Sequence, residues 1–472
     1  MTLPILQDDA LTSTREGFAL KVCLPWIRSL PLSSVTEFRL VIDGRTCESL
    51  RANIDDRSIA IDAMATESAW WFLQDRLILH GEWMLGPGIH IVTVSFALVV
   101  PYLQSGPDGP LTIPFSVERS LDARGGQAME PTSRPVARAA DVPEATPTPW
   151  TLSASAFNWT ADVIRADRPA TDIAVAIAAD DVASVIELEE GQLWRSFPAP
   201  STTEAVELRE RLRAAGGRVT IVGVSIDDWL SPSRRRDDDQ RLAFVLPQLQ
   251  TAFDVGAEGV RLPIGQAGPT LLRRLQPTLH ELGLTLYEEL QGQQAPDAPQ
   301  IATAIDDIAA LDDPRIRLLV DTSMLMPALP PTFLEQLAAG GIPPELLARL
   351  TDAWLEPATL EAVVALLRSG GVPPRVHTLY MNLLVRFGRS STDALRGILS
   401  MVGAYHLKFW DLDDTDDRVS QPLRDVGSLL RRSRFTGTLC SEWGGHEWLD
   451  ADATDLTRRH LALALGALAT GL

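Results

Sequence analysis

Basic residues, cysteines and long apolar runs are all scarce in this sequence. Its 472 residues include 42 Lys and Arg against 62 Asp and Glu, which gives a net charge of −20. Binding to nucleic acids or anionic membranes requires a basic surface, so the charge argues against both partners. No apolar stretch is long enough to span a membrane. The C-terminal run HLALALGALATGL is apolar but short, and is more typical of an amphipathic helix.

The three cysteines, Cys23, Cys47 and Cys440, are too few for a disulfide framework and lack metal-site spacing. They indicate free thiols in a reducing compartment. The N-terminal sequence MTLPILQDDALTST has no basic segment followed by an apolar one, so it does not predict a signal peptide. We therefore expect a cytoplasmic protein whose partner is a small molecule. The sequence leaves open whether it forms homo-oligomers.

Residues 1–122 have the pattern of an all-β domain. Segments that alternate in polarity or are rich in β-branched residues are separated by Gly, Pro and Asp turns. The strongest of these segments are FALKVCL, SVTEFRLVIDG, DRLILHG and HIVTVSFALVV. Residues 123–149 are rich in Pro, Ala and small polar residues that cannot bury a core. The sequence predicts a sandwich-like β-domain followed by a linker.

From residue 150 to 472, strand-like and helix-like segments alternate, and several helical segments end in Gly. The eight strand-like segments are TLSASAFNW, SVIELEEG, RVTIVGVSID, GVRLPIG, LTLYEEL, RIRLLVDTS, YHLKFWDL and GTLCSEW. Eight βα units in roughly 320 residues are typical of a (β/α)8 TIM barrel. Short helical patterns at about 325–400 predict a helical insertion. The predicted fold is therefore multidomain, with an N-terminal β-sandwich and a C-terminal α/β barrel.

Four polar residues lie at or just after the ends of predicted barrel strands: Glu289, Asp321, His406 and Glu442. Three carboxylates and an imidazole form a ligand set for a divalent metal such as Mn²⁺ or Mg²⁺. The carboxyl ends of barrel strands meet at one mouth, where barrel enzymes have their active sites. The pattern therefore predicts a metal site at that mouth.

Each of these residues also fits a plainer role. Asp321 precedes Thr322 and Ser323 and suits a helix cap. His406 suits an ordinary buried histidine, and Glu442 the partner of an arginine. Alternation along the strand does not decide which of the adjacent carboxylates at 288 and 289 points into the barrel.

Two sets of motifs resemble known families. GLTLYEELQG, LLVDTS, HLKFW and SEWGGHEW resemble the sugar-phosphate isomerase/epimerase superfamily of metal-dependent TIM barrels. GFALKVCLPWIRSLPLSSVTEFRLVIDG, WWFLQDRLILHG and LGPGIHIVTVSF resemble the small β subunit of the C-glycoside deglycosidases, in which the barrel is the α subunit. The resemblance implies that both subunits are fused here and that the four residues above bind one metal ion. Mn²⁺ is the first expectation, with Mg²⁺ or another ion as alternatives.

The resemblance also implies a reaction, the metal-dependent cleavage of 3-oxo-glycosides by a carbon–carbon lyase. C-glycosides are the expected substrates, supplied by a separate sugar 3-oxidase. A ketone at carbon 3 makes the carbon 2 proton acidic, and the enediolate stabilised by a Lewis-acidic metal can expel the aglycone. Sugar isomerases and epimerases share the first step, as does elimination from 3-oxo-O-glycosides. Both activities therefore stay as alternatives.

Further residues are candidates for the chemistry. Glu289 and Glu442 are candidate bases as well as ligands, and Lys408 and His446 are further catalytic candidates. The candidate substrate-binding residues are Glu187, Arg261, Trp410 and Trp443.

Two positions depart from the family pattern. Gly444 stands where relatives often carry a second acidic residue, and Met324 where many carry a histidine. The proton-transfer residue is therefore undecided. In the resembling family the β-domain packs on the barrel and helps to shape its active site. We expect it here to be a folding partner without a catalytic residue.

Overall fold

The computed structural model describes residues 5–54, 57–104, 109–124, 149–231 and 233–470. Residues 125–148, most of the predicted linker, lie outside the described residues. The division into domains at 1–122 and 150–472 therefore stays a prediction. All three cysteines are free and buried.

The chain before the linker forms antiparallel sheets. The strands are β1 Leu11–Thr14, β2 Gly17–Cys23, β3 Leu30–Pro31, β4 Val35–Ile42, β5 Arg45–Thr46, β6 Leu50–Ile54, β7 Arg57–Ala60, β8 Trp70–Trp71, β9 Arg76–Gly81, β10 Ile89–Gln104 and β11 Pro110–Asp122. One sheet has the order β1-β2-β9-β6-β7, another the order β11-β10-β4-β5, and β3 pairs with β8. In β2, Phe18, Leu20 and Val22 are fully buried while the residues between them are less so, which is the predicted alternation. The prediction of β structure here is confirmed.

The chain after the linker forms a closed eight-stranded parallel barrel. Its strands and a small hairpin are β12 Thr151–Ser155, β13 Val185–Glu189, β14 Arg218–Gly223, β15 Trp229–Ser231, β16 Arg234–Arg235, β17 Gly259–Pro263, β18 Thr285–Leu290, β19 Ile316–Asp321, β20 Val402–Phe409 and β21 Thr438–Trp443. The barrel order is β12-β13-β14-β17-β18-β19-β20-β21. The strands are nearly continuous apolar runs because helices cover their outer faces. The predicted TIM barrel is confirmed.

Helices follow the barrel strands and also fill one long connection. They are α1 Thr160–Arg165, α2 Ala170–Ala179, α3 Glu190–Leu193, α4 Thr202–Ala214, α5 Asp238–Asp254, α6 Gly268–Leu282, α7 Pro299–Leu311, α8 Pro331–Ala339, α9 Pro344–Asp352, α10 Pro357–Arg368, α11 His377–Val385, α12 Ser420–Ser433 and α13 Ala453–Ala469. Helices α8 to α11 lie between β19 and β20 and have their own apolar core, which includes Phe333, Leu350 and Phe387. None of the helices in the described part of the chain has the length and hydropathy needed to cross a membrane.

The strand register brings the carboxyl ends of neighbouring barrel strands level with one another. Asp321 in β19 pairs with His406 in β20, and Pro263 in β17 pairs with Glu289 in β18. Lys408 in β20 pairs with Glu442 in β21. Side chains far apart in sequence therefore meet at one mouth of the barrel.

The N-terminal sheets pack directly on this mouth. The backbone N–H of Ser29 donates to Gly191 O at 2.8 Å, and Gln192 Nε2 donates to Ile27 O at 2.6 Å. Arg28 forms a buried ion pair with Asp227. The apolar cores of the sheets and of the barrel are continuous. These contacts position the N-terminal segment over the carboxyl ends of the strands.

Candidate active site

His406 is the centre of a buried cluster of carboxylates. Its Nδ1 atom lies 2.9 Å from Glu289 Oε1 and 2.8 Å from Glu442 Oε2. Neither contact has hydrogen-bond geometry, and Nδ1 has no hydrogen-bond partner among the described residues. Ligand atoms of Glu289, Asp321 and His406 all lie within 4.8 Å of one another. Side chains from three neighbouring strands therefore point at one small volume.

These donor atoms fit a divalent cation. Besides His406 Nδ1, Asp321 Oδ2 is buried and has no hydrogen-bond partner among the described residues. Burial raises the pKa of Asp321 to about 6, and the negative charges of Glu442 and Glu289 add to the rise against the opposing charge of Lys408. Converging carboxylates without a matching cation are costly in a dry site. Hard oxygen donors with one imidazole suit Mn²⁺ or Mg²⁺.

Asp321 combines the two roles that its sequence position suggests. Its Oδ1 atom accepts a hydrogen bond of 2.7 Å from the backbone N–H of Ser323, which caps the short 3₁₀ helix Thr322–Leu325. Its Oδ2 atom has no hydrogen-bond partner among the described residues, and one carboxylate oxygen of Asp321 lies within 4.8 Å of the donor atoms of Glu289 and His406. The two adjacent carboxylates in β18 have different surroundings. Glu289 points into the barrel, whereas Glu288 accepts a hydrogen bond of 2.7 Å from Gly265 N.

The other nitrogen of His406 contacts Glu187. His406 Nε2 lies 3.0 Å from Glu187 Oε2, and both side chains are buried. A carboxylate on this nitrogen fixes the orientation and tautomer of the ring and leaves Nδ1 free to bind a metal. Glu187, His406 and Cys440 form a second group of donor atoms that share the His406 ring.

Two cations flank the cluster. Arg261 Nη1 contacts Glu289 Oε2 at 2.6 Å, and its other terminal nitrogen contacts Glu189. Lys408 pairs with Glu442. Burial by itself lowers the pKa of Lys408, but the carboxylates of Glu442 and Asp321 outweigh it and raise that pKa. Lys408 therefore carries a positive charge at neutral pH.

A cavity of about 370 Å³ opens over the cluster. Its barrel side is lined by charged groups and by aromatic rings. The charged residues are Glu189, Arg261, Glu289, Lys408 and Glu442, and the rings include those of Phe157, Phe197 and Trp410. Its outer side is lined by the N-terminal segment through Trp26, Arg28, Tyr102 and Leu103. The cavity has the size of a small-molecule site and both halves of the chain shape it.

The predicted site residues fall into three groups. Those that line the cavity are Glu289, Glu442, Lys408, Arg261 and Trp410. Asp321 and His406 do not line it but contribute donor atoms to the cluster below. Glu187, Trp443 and His446 are buried and do not line it. The substrate-binding roles predicted for Glu187 and Trp443, and the catalytic role predicted for His446, therefore have no direct access to a ligand in this cavity.

Packing explains these last placements. Trp443 Nε1 donates to Trp410 O at 2.8 Å, so its ring supports the strand end. His446 Nδ1 lies 3.0 Å from Trp443 O, and its ring packs edge-on against Phe157. Burial lowers the pKa of His446 to about 4, so the ring is neutral at pH 7.

The sequence analysis missed Glu189. This residue ends β13 two positions after Glu187, on the same strand face but nearer the mouth. Its carboxylate pairs with Arg261 and lines the cavity, and Gly223 leaves room for it because a Cβ there would overlap the carboxylate. The doubled acid in IELEEG was the available signal.

The two departures from the family pattern have local explanations. A Cβ at Gly444 would overlap the ring of Trp410, so no larger residue fits there with the ring in place. Met324 is fully buried and its backbone packs against Gly388 at the end of the helical connection. The Trp410 indole therefore occupies the space that a larger side chain at position 444 would need.

Comparisons with known proteins find relatives named as two different subunits. No family model matches the chain. The C-glycoside deglycosidase α subunit of Arthrobacter globiformis is 26% identical over 304 residues, covering 62% of this chain and 85% of that protein. The C-glycoside deglycosidase β subunit of Microbacterium trichothecenolyticum is 34% identical over 103 residues, covering 21% of this chain and 79% of that protein. The structure of a D-psicose 3-epimerase is similar with a TM-score of 0.41 and 13% identity, covering 67% of this chain and 99% of that chain.

Proposed function

We propose that this chain is a metal-dependent lyase that cleaves 3-oxo-glycosides, and foremost 3-oxo-C-glycosides. The chain belongs to the C-glycoside deglycosidase family. Its relatives include proteins named as α and as β subunits of C-glycoside deglycosidases. The observation that carries the proposal is the convergence of two carboxylates on Nδ1 of His406 directly below a cavity of about 370 Å³.

Glu289, Asp321 and His406 are residues that would hold the metal, since their donor atoms lie within 4.8 Å of one another. Glu442 would be the fourth, because its Oε2 atom lies 2.8 Å from His406 Nδ1. When bound, a divalent cation supplies Lewis acidity to a ketone and a neighbouring hydroxyl group. Mn²⁺ is our first choice on the donor set, ahead of Mg²⁺.

The reaction begins with loss of the proton on carbon 2, next to the ketone at carbon 3. A carboxylate of the cavity accepts this proton, and the carboxylates available are Glu189, Glu289 and Glu442. The electron pair of the carbon–hydrogen bond moves toward the ketone, and negative charge develops on its oxygen. The protonated Lys408 lies beside Glu442 and offers the charge that stabilises this oxygen.

Cleavage follows from the same electron pair. As the double bond between carbons 1 and 2 forms, the bond from carbon 1 to the aglycone breaks. The aglycone carbon takes up a proton from the cavity carboxylic acid that the first step protonated, which returns that group to its carboxylate form. The products are an unsaturated 3-oxo sugar and the free aglycone. A separate sugar 3-oxidase would supply the substrate, because no step of this sequence oxidises carbon 3.

Deuterium exchange separates this reaction from its alternatives. The protein is incubated in D₂O with a 3-oxo-C-glucoside and Mn²⁺, and sugar and aglycone are analysed by mass spectrometry and chromatography. We expect aglycone release, with deuterium at carbon 2 of any recovered substrate if proton removal is reversible. His406→Ala should abolish release, whereas the exposed-site control Glu281→Gln should keep it. Deuterium exchange or isomerisation of the sugar without release of the aglycone would instead establish an isomerase or epimerase.

A further inference from the structure

The N-terminal segment closes the side of the cavity opposite the ligand cluster. We call the surface formed by Trp26, Arg28, Tyr102 and Leu103 the outer wall. Trp26 and Arg28 follow β2, and Tyr102 and Leu103 lie near the end of β10. Two separate parts of the N-terminal segment therefore reach the same cavity.

The outer wall is fastened to the barrel on both sides. The hydrogen bonds from Ser29 N to Gly191 O and from Gln192 Nε2 to Ile27 O hold the first part. Gly191 allows the close approach because a Cβ there would press on the Arg28 side chain. Gln266 Nε2 holds the second part through hydrogen bonds to Tyr102 O at 3.3 Å and to Ile226 O at 2.8 Å. The wall therefore has a fixed position relative to the strand ends.

The hydroxyl group of Tyr102 has donors on its protein side. Trp26 Nε1 donates to the Tyr102 hydroxyl oxygen at 2.8 Å, and the Arg28 guanidinium lies 4.1 Å from the centre of the Tyr102 ring. Indole and guanidinium groups offer donors only. In the described part of the chain, the hydroxyl proton itself is given to no acceptor. Tyr102 is thus a hydrogen-bond donor without a protein acceptor, in a residue that lines the cavity.

The two sides of the cavity have different chemistry. The barrel side carries charged groups, which suit a polyhydroxylated sugar. The outer wall carries the rings of Trp26 and Tyr102, the apolar Leu103, and the Arg28 guanidinium, which Asp227 already pairs. Its aromatic surface and the free hydroxyl donor of Tyr102 suit a flat apolar group with an oxygen substituent.

We propose that the outer wall binds the aromatic leaving group, and that Tyr102 selects leaving groups by donating a hydrogen bond to an oxygen on them. This inference rests on the proposed function, because it assigns the sugar to the barrel side. It gives the N-terminal segment a specificity-determining residue, where the sequence predicted only a folding partner.

The effect of Tyr102 depends on the ligand. A neutral hydrogen bond in a desolvated site contributes roughly three- to tenfold to affinity. Replacing the Tyr102 hydroxyl removes this gain in affinity for a ligand whose leaving group carries the oxygen. The affinity for a ligand of the same shape that lacks the oxygen stays unchanged. A merely structural role would change the affinity for both ligands alike.

Binding of inert analogues tests the proposal without turnover. Two C-glucosides that are not oxidised at carbon 3, one with a 4-hydroxyphenyl and one with a 4-methylphenyl group, are titrated into the full chain by calorimetry. Wild type should prefer the hydroxyphenyl compound three- to tenfold, and Tyr102→Phe should bind both equally. Tyr380→Phe, a control outside the cavity, should keep the preference.

Three results would overturn the proposal: a wild type without preference, a wild type that binds neither compound, or a Tyr102→Phe variant that keeps the preference. The proposed function fails separately, since it requires aglycone release from a 3-oxo-glycoside, which these inert compounds do not undergo. Equal metal contents of wild type and Tyr102→Phe would show that the ligand cluster is intact in the variant.

Discussion

At the scale of single residues, His406 links two kinds of contact. Its Nδ1 atom faces the carboxylates that would hold a metal, and its Nε2 atom faces Glu187. The sequence predicted the first face, because the residues concerned end neighbouring strands of a barrel. It did not predict the second, since Glu187 and His406 are 219 positions apart and nothing in the spacing indicates that their side chains touch.

Glu187→Gln should weaken metal binding. The neutral amide holds the imidazole less firmly and makes it a poorer donor, and losing such a supporting carboxylate typically costs about 10- to 100-fold in metal affinity. Titration of MnCl₂ into metal-free protein measures this effect. Glu190→Gln is the matched control, since Glu190 is equally buried and burial raises its pKa well above the ordinary value. Equal affinities of wild type and Glu187→Gln would contradict the supporting role.

Two buried histidines make stability depend on pH. Burial lowers the pKa of His460 to about 3 and of His446 to about 4, from an ordinary value of 6.5. The unfolded chain therefore binds more protons than the folded chain below pH 6.5. The free energy of unfolding falls as the pH drops from 6.5 toward these lowered values.

His460→Gln should make this pH dependence shallower. His460 stacks on Phe409 with ring centres 4.0 Å apart, and its Nε2 atom has no hydrogen-bond partner among the described residues, so a proton there would be buried and unpaired. Urea unfolding at pH 7, 6 and 5 should show a slope smaller by about 1 kcal/mol per pH unit than in wild type. Identical slopes would show that His460 titrates normally in the folded protein.

At the scale of elements, the eight barrel strands could be predicted because parallel strands covered by helices are short, continuous apolar runs. The polar residues at the ends of these strands could be assigned to the mouth, because the carboxyl ends of barrel strands meet there. The outer wall could not, because Trp26 and Tyr102 lie in a part of the chain that the sequence does not connect to any barrel strand. Their position depends on tertiary contacts such as those of Gln192 and Gln266.

Gly444→Ala should disturb one strand end. The added methyl group overlaps the Trp410 ring, which stacks on Trp448 with ring centres 5.6 Å apart and lines the cavity. We expect a loss of about 1–3 kcal/mol in stability and reduced substrate binding. Gly466→Ala, in an exposed position of α13 with open space around it, should instead gain about 0.5–1 kcal/mol. Thermal unfolding measures the stability of both variants relative to wild type. Equal stability of Gly444→Ala and wild type would contradict the predicted overlap with the Trp410 ring.

At the scale of the whole molecule, the N-terminal sheets and the barrel share one apolar core and one cavity. Arg28 and Asp227 form a buried ion pair at their contact, and Gln74 Nε2 donates to Val163 O and Arg168 O, both at 2.9 Å. Either part of this chain alone would leave the lining of the cavity incomplete.

Cutting the chain between these parts should leave them associated. A protease site introduced between residues 125 and 148 allows cleavage after folding, and gel filtration should show both pieces eluting together. Asp227→Ala leaves Arg28 buried without its partner, which typically costs about 3–5 kcal/mol. The cut variant should therefore dissociate at concentrations where cut wild type and the exposed-site control Asp306→Ala stay together. Dissociation of cut wild type would contradict the contact.

The proposed lyase activity depends on a metal ion bound at His406. The most direct test combines the metal content of the purified protein with aglycone release from a 3-oxo-C-glucoside, before and after chelation. We predict a bound divalent ion and release that stops with chelator and returns with Mn²⁺. His406→Ala should bind no ion and release no aglycone. Protein without a metal site, or release that is unchanged by chelation, would contradict the account.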